Sequence, residues 1–382
     1  MPGSNTLLER VRELSESFTA DRAERQIRRH LDRPDFDALA DAGYLGVAVP
    51  RSMGGIFDGF VSSTRPTAEV LRAVAHGDPA VALVASMHPA VLAFWLAVEE
   101  APEPADAAQW TEQRRFVFQS ALDGHWWGTI TSEPGSGGDI ARTRAVAAPT
   151  GRPLEYRLSG DKHFGSGSGI TSFMITTARV EGEDAPAMFF IDMRDRPWDG
   201  TAGVELIAAW DGLGMRATQS HAMRFAGVPA TRMAARLDAG SVFLTTSAST
   251  LTLFIAVVLG VVETAVTEAR ARLQPRAEAL RAFEQAEWSR AVTEAWLVEQ
   301  AYEGALRAVE SSASPLAEVL RAKAAAAELA EACLTRLSKV IGGAAYSESS
   351  PFAHWTQDVR ALGFLRPPWG YAYDSLFATS WI

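Results

Sequence analysis

The stretch from Trp126 to Asp139, WWGTITSEPGSGGD, constrains this chain more than any other. An apolar, β-prone run (Trp126 to Thr131) passes through one acid and a proline into a glycine/serine loop closed by a second acid. Gly135, Gly137 and Gly138 place no Cβ in the way, so the backbone N–H groups of such a loop can approach a ligand closely. Ser132 sits where strand becomes loop, with a hydroxyl free to donate or accept. Taken alone, the same letters also describe an ordinary surface loop between two strands.

A second stretch of the same kind follows about one strand pair later: LSGDKHFGSGSGITSFMITTARV, Leu158 to Val180. Its centre, Lys162 to Gly169, again ends an apolar alternation in small polar residues. Two such loops on neighbouring strands would line one planar ligand from the same side.

The texture of the chain divides around these loops. Residues from about 5 to 125 read as helices: LLERVRELSESF and FDALADAGYLGVAVP carry apolar residues at helical spacing, with Gly43 and Pro50 as stops. The apolar block VALVASMHPAVLAFWLAV is interrupted by His88 and Pro89, which predicts a buried, kinked helix. From about 126 to 237 short alternating runs such as FMITTARV and AMFFIDMR predict a β-rich domain. Beyond about 238 helical periodicity returns. The run from Ser241 to Leu273 is apolar nearly all round, so it should be buried against several neighbours. Long alanine-rich runs follow it, which predicts a four-helix bundle.

Charge and composition narrow the partners. Acids outnumber bases 46 to 36 among 382 residues, which argues against a nucleic-acid surface and against a basic membrane patch. No stretch offers eighteen or so uninterrupted apolar residues, and no basic leader precedes an apolar run, so the expected location is the cytoplasm. Cys333 is the only cysteine, which excludes an internal disulfide or a thiolate metal cluster.

Three motifs together resemble the acyl-CoA dehydrogenase superfamily of flavoproteins. The first loop there usually reads T-E-P-G-[AS]-G-S-D, and here it is Ser132-Glu133-Pro134-Gly135-Ser136-Gly137-Gly138-Asp139. The second usually reads G-x-K-x-[WF]-I-[TS]-N-[GA], and here it is Gly160 to Ser168, GDKHFGSGS. The third, G-[ML]-R-x-[ST], appears as Gly214-Met215-Arg216-Ala217-Thr218, and Pro50 to Gly55 is similar to an early P-x-x-x-G-G turn. The resemblance implies an α+β fold with an N-terminal helical domain (1–125), a central β domain bearing the flavin-contacting loops (126–237), and a C-terminal four-helix bundle (238–382). It also implies a homodimer or homotetramer built through that bundle, and FAD as cofactor with FMN as the alternative.

By the same resemblance, Ser132 and Ser166 contact the isoalloxazine and Phe164 covers it, with Trp127, Thr131 and Gly137 joining the cofactor set. Each is equally legible as a loop serine or a core aromatic. At the phosphate end the R-x-x-F-G pattern is reduced to Arg270-Ala271-Arg272-Leu273-Gln274, and the later glycine loop to Ile341-Gly342-Gly343. Arg272, Gly342 and Gly343 are therefore the candidates there.

The catalytic glutamate is missing. A dehydrogenase of this superfamily needs a carboxylate to take the α-proton of a thioester, and its two usual places fall on Arg366 and near Thr250. No Asp or Glu lies between Val359 and Tyr373 or between Gly240 and Val262. Arginine cannot serve as the base. The departure points to the branch typified by dibenzothiophene monooxygenase and amino-sugar N-oxygenases, which receives reduced flavin, from a separate reductase, and acts through a C4a-(hydro)peroxyflavin. Features of that branch read here as Ser166-Gly167, His354-Trp355 and His88. On this reading His88, Ser166 and Arg366 are catalytic, and Trp369, Tyr371 and Tyr373 line the site of an apolar or aromatic small molecule. His88 also suits a satisfied core histidine, His354 a helix cap and Arg366 a partner for a nearby acid. The first loop, by contrast, looks more like the dehydrogenases. A dehydrogenase with its base elsewhere, and a catalytically silent scaffold, are the other two readings.

Overall fold

The computed structural model describes residues 4–98, 107–235 and 241–381. The N-terminal helices are α1 (Ser4–Ala20), α2 (Arg22–Ile27), α3 (Arg33–Ala42), α4 (Phe60–Gly77), α5 (Pro79–Leu96) and α6 (Ala107–Leu122). Helix α5 is organised by its ends and by its proline. Asp78 caps it by accepting from the N–H groups of Ala80 and Val81 at 3.0 and 3.1 Å, and it also pairs with Arg28 at 2.8 Å and Arg25 at 3.2 Å. Pro89 has no N–H to give to the carbonyl of Ala85. Tyr44, fully buried, donates its hydroxyl to that carbonyl instead, at 3.0 Å.

The sheet contains β1 (Trp127–Thr129), β2 (Val146–Pro149), β3 (Glu155–Gly165), β4 (Phe173–Ala178), β5 (Ala187–Asp192), β6 (Val204–Ala208) and β7 (His221–Arg232). Its order is β1-β4-β5-β7-β3-β2, with β6 also on β7, and only the β1–β4 pair is parallel. Both faces are covered. Along β4 and β5, Phe173, Ile175 and Phe190 join the core shared with the helices. Met174, Phe189 and Ile191 point into a second core with Leu158, Met223 and Val228. That alternation is the two-residue period of a strand buried on both sides.

The C-terminal helices are α7 (Ser241–Leu273), α8 (Ala282–Ser311), α9 (Leu316–Ile341), α10 (Pro351–Asp358), α11 (Ala361–Phe364) and α12 (Trp369–Thr379). Helix α7 runs between α4 and α5 on one side and α8 and α9 on the other, which is why its sequence lacks a polar face. A Cβ on Gly260 would come within 2.5 Å of the Arg72 carbonyl, so this residue lets α7 and α4 cross closely. Three long helices make most of the bundle, and the short helices α10, α11 and α12 pack along α9 in place of a fourth long one.

By length and mean hydropathy, Pro79–Leu96 and Thr246–Ala279 are long and apolar enough to cross a bilayer, which the search for unbroken apolar runs did not register. In each, 78% of the most apolar stretch is buried within the fold, the usual state of a core helix. The expected domain break at 237/238 lies outside the described residues.

Candidate active site

The two loops anticipated from sequence are locked together by a buried ion pair. Lys162, in β3, is fully buried, and its Nζ donates to Glu133 Oε1 at 2.6 Å and to the Thr177 carbonyl at 2.7 Å. Glu133 also accepts from the backbone N–H of Arg144 at 2.7 Å and of Ala145 at 3.1 Å. Burial alone would raise the carboxyl's pKa, but these donors hold it below the usual range, so Glu133 is an anion with its oxygens occupied. Sequence reading passed over both residues as functional, though both stand in the quoted motifs. Their work is to fix one loop against the other. A bridge between Ser132 and His163 completes the join, with the His163 N–H donating to the Ser132 carbonyl at 2.8 Å.

Ser132 then meets the C-terminal segment. Arg366 Nη2 donates to Ser132 Oγ at 3.0 Å, and no carboxylate among the described residues lies within 4.0 Å of this guanidinium. Burial works against its charge, with Asp139 as the acid that favours it. The segment bearing Arg366 is pinned from below. Lys323 on α9, buried and likewise without a carboxylate partner, donates to the carbonyls of Leu365 at 2.9 Å and Pro367 at 2.8 Å. Gly138, at φ 87°, lets the first loop close onto Pro368, since a Cβ there would lie 2.9 Å from the proline ring. Arg366, one of the two positions that held no glutamate, is thus part of the loop site and is not spent on a neighbouring acid.

In the second loop Ser166 Oγ lies 2.9 Å from Ser220 Oγ, which lies 2.8 Å from Thr218 Oγ1. Thr218 donates to the Met215 carbonyl at 2.9 Å. Ser166, Thr218 and Ser220 are all buried. Phe164 has φ 60° and is 58% exposed, touching His163 and Trp210 only edge-on. A large aromatic held in left-handed backbone and left open on one side is strain of the kind found at ligand sites. Gly135 and Gly137, at φ 74° and 64°, also face open space, so the backbone of the first loop is accessible there.

The other anticipated residues fall elsewhere or act differently. His88 is fully buried: the Trp127 N–H donates to its Nδ1 at 3.2 Å, and Nε2 meets the Leu45 carbonyl at 3.3 Å. Burial pushes its pKa down to about 4, so it is a neutral core residue that orients β1 and has no spare donor. Trp127 is likewise a core residue, stacked on Phe173 at 4.7 Å with its indole N–H on Ser120 Oγ. Thr131 is half-buried beside Ser132. His354 bonds the Glu348 carbonyl at 2.7 Å through Nε2, behind α10.

Arg272 pairs with Glu268 one turn back on α7 and covers the ring of Phe352, so its charge is already met. Gly342 ends α9 at φ 85° and, with Gly343, faces open space. Trp369 stacks on Tyr373 at 5.7 Å and packs on Gly363, beneath the Arg366 segment. The Tyr373 hydroxyl is bound to Glu328 of α9, and Tyr371 is exposed. A small pocket of about 20 Å³, room for a single water, lies between α4, α5 and α7, lined by Val47, Phe60, Leu96 and Leu253 together with the hydroxyl-bearing Thr67 and Thr250. Thr250 is the second position that held no glutamate.

Asp358, at the end of α10, accepts from the Met215 N–H at 2.6 Å, and burial pushes its pKa up to about 7. It lines a small pocket of about 30 Å³ with Arg22, Arg25, Arg216 and His354. A Cβ on Gly214 would strike the Gln357 carbonyl at 2.2 Å, so the turn can seat against α10 only with glycine there.

Residues 247–366 match the family described as acyl-CoA dehydrogenase, C-terminal domain. The C-terminal part of the chain is thus similar to the acyl-CoA dehydrogenases. Amino sugar nitrososynthase DnmZ of Streptomyces peucetius is 27% identical over 353 residues, covering 87% of this chain and 82% of the relative. The probable FMNH2-dependent monooxygenase SfnC of Pseudomonas putida is 28% identical over 266 residues, 68% of this chain and 60% of the relative. The solved structure of KijD3 with FMN and dTDP-3-amino-2,3,6-trideoxy-4-keto-3-methyl-D-glucose superposes with a TM-score of 0.82 at 22% identity, over 100% of this chain and 94% of the other. The two share one fold over the whole of this chain.

Proposed function

We propose that this chain is a flavin-dependent monooxygenase of the acyl-CoA dehydrogenase superfamily, acting on an apolar or aromatic small molecule with reduced flavin supplied by a separate reductase. The observation that carries the reading is the fate of the two glutamate positions. One holds Arg366, bonded to Ser132 between the loops, and the other holds Thr250, in a small pocket between helices. The acid beside Ser132 in sequence, Glu133, is locked to Lys162. None of these three positions offers a base to a thioester α-proton.

The residues present suit a flavin. Ser132 and Ser166 offer hydroxyls on the two linked loops, Phe164 offers an unpacked aromatic face, and Arg366 offers a cation with unused N–H groups. Bound there, reduced flavin supplies the two electrons and the centre at which dioxygen is activated. The chain's own part is to position and to exclude water. The Glu133–Lys162 pair sets the spacing of the loops, and Arg366 stabilises negative charge at the ring's edge. Arg272 is occupied by Glu268 and is not held out toward a pyrophosphate, which favours FMN over FAD. The relatives named as an FMNH2-dependent monooxygenase and as an FMN complex support the same choice.

The test is a label. Protein supplied with reduced FMN, a panel of aromatic and heteroatom-bearing substrates and ¹⁸O-labelled dioxygen should give product carrying one labelled oxygen. Bleaching of bound oxidised flavin by an acyl-CoA under anaerobic conditions, without labelled product from any substrate, would select the dehydrogenase reading instead.

A further inference from the structure

The hydroxyl chain behind Ser166 has a polarity. Its inner end is the Met215 carbonyl, which can only accept. Met215, held at φ 47°, presents a carbonyl that receives the Trp210 indole N–H at 3.0 Å, the Thr218 backbone N–H at 3.2 Å and the Thr218 hydroxyl at 2.9 Å. Trp210 can only donate, which confirms the carbonyl as the fixed acceptor. Each hydroxyl carries one hydrogen. When Thr218 gives its hydrogen to Met215, the 2.8 Å contact with Ser220 is a hydrogen bond only if Ser220 donates. Ser220 then has no hydrogen left, so Ser166 must donate across the 2.9 Å contact to Ser220. With all three contacts satisfied, one arrangement exists: every proton points inward, and Ser166 shows the ligand its lone pairs. The chain is buried throughout, so water does not readily supply an alternative partner.

We infer that Thr218 and Ser220 are positioning residues that make Ser166 a hydrogen-bond acceptor, so that the site selects a ligand presenting an N–H at that point. The inference rests on the flavin reading above, in which Ser166 meets the nitrogen at the ring's reactive edge. That nitrogen carries hydrogen in reduced flavin and only a lone pair in oxidised flavin. The site therefore binds reduced flavin in preference to oxidised, and the selecting element lies two residues behind the contact. An oxidised ring would set lone pair against lone pair, or force Ser166 to turn its proton outward and leave Ser220 without a donor.

The experiment compares anaerobic dissociation constants for oxidised and photoreduced FMN in the wild type, in Ser220→Ala and Thr218→Val, and in Ser220→Thr, which keeps a hydroxyl. Circular dichroism checks folding of each. The wild type should bind reduced FMN at least tenfold more tightly than oxidised FMN. Each tenfold of preference raises the bound midpoint potential by about 30 mV for a two-electron couple. Ser220→Ala frees the Ser166 proton to turn outward and should cut the preference by most of that factor, mainly by tightening oxidised FMN. Ser220→Thr should retain it. Equal affinities in the wild type, or an unchanged ratio in a folded Ser220→Ala protein that still binds FMN, would overturn the inference and leave the flavin reading standing. Failure of the wild type to bind either form would remove both.

Discussion

Replacing Lys162 by methionine isolates the device that spaces the two loops. The substitution keeps most of the side chain's volume and removes only the ammonium group that meets Glu133 Oε1 and the Thr177 carbonyl. Glu133, whose side chain is 3% exposed, would be left as a buried anion with two backbone N–H partners and, as its one remaining cation, the exposed Arg144 guanidinium at 3.8 Å. Removing one member of such a pair costs about 3–5 kcal/mol. In a chain of this size that is roughly 4–6 °C in the melting temperature. Adding Glu133→Gln to Lys162→Met removes the orphaned charge while keeping one oxygen to accept from these N–H groups, so the double variant should recover about half of the loss. The pH dependence has a definite sign. The Glu133 pKa is lowered in the folded state, so its contribution is present above the ordinary carboxylate range and is lost as pH falls through the lowered value. The wild type should thus lose stability to acid more steeply than the double variant. Thermal denaturation across pH, with hydrogen exchange read at residues 132–139 and 160–167, measures all of this. A single variant within about 0.5 kcal/mol of wild type, or a double variant no better than the single, would refute the reasoning.

His88→Gln should lower stability and leave turnover per bound flavin nearly unchanged, checked by calorimetry and steady-state kinetics. His88 is kept neutral down to about pH 4 when folded, against an ordinary value near 6.5. The wild type therefore loses stability between those values, by about 1.4 kcal/mol per pH unit, and the variant should lose less there. Arg366→Gln should reduce turnover by about a hundredfold while changing flavin affinity only a few-fold, as a charge-stabilising group would. Lys323→Met should fall in the same direction through the loosened Leu365–Pro367 segment. Burial pushes the Lys323 pKa down to about 8, so turnover should decline as pH rises past that value, and Lys323→Arg should move the decline to higher pH. Ser132→Ala should weaken flavin binding by about 1 kcal/mol, the usual worth of one neutral hydrogen bond, readable by fluorescence quenching.

The strongly periodic parts of the fold were legible in the sequence. Helix α7 has no polar face because it has neighbours all round, and the alternation of Met174 with Phe173 and Ile175 follows from a sheet covered on both sides. The two serine loops were legible because glycine and proline punctuate them. Contacts between distant residues were not. Nothing local to Arg366 says that it reaches Ser132, or that Lys323 holds the carbonyls on either side of it. His88 attracted attention as a polar residue on an apolar helix, yet its partners, the Trp127 amide and the Leu45 carbonyl, are backbone groups that no residue pattern reveals. Glu133 and Lys162 stood in plain view within the motifs. Only their burial shows that the motif glutamate is an anchor and not a base.

The most direct measurement is a structure of the protein saturated with FMN. The account predicts the ring lying between the loops, with Ser132 and Ser166 about 3 Å from its edge atoms, Phe164 against its face, and the Arg366 guanidinium as the nearest charged group. A carboxylate of any aspartate or glutamate within hydrogen-bond reach of the ring's reactive edge, or a ring bound away from the two serines, would contradict it.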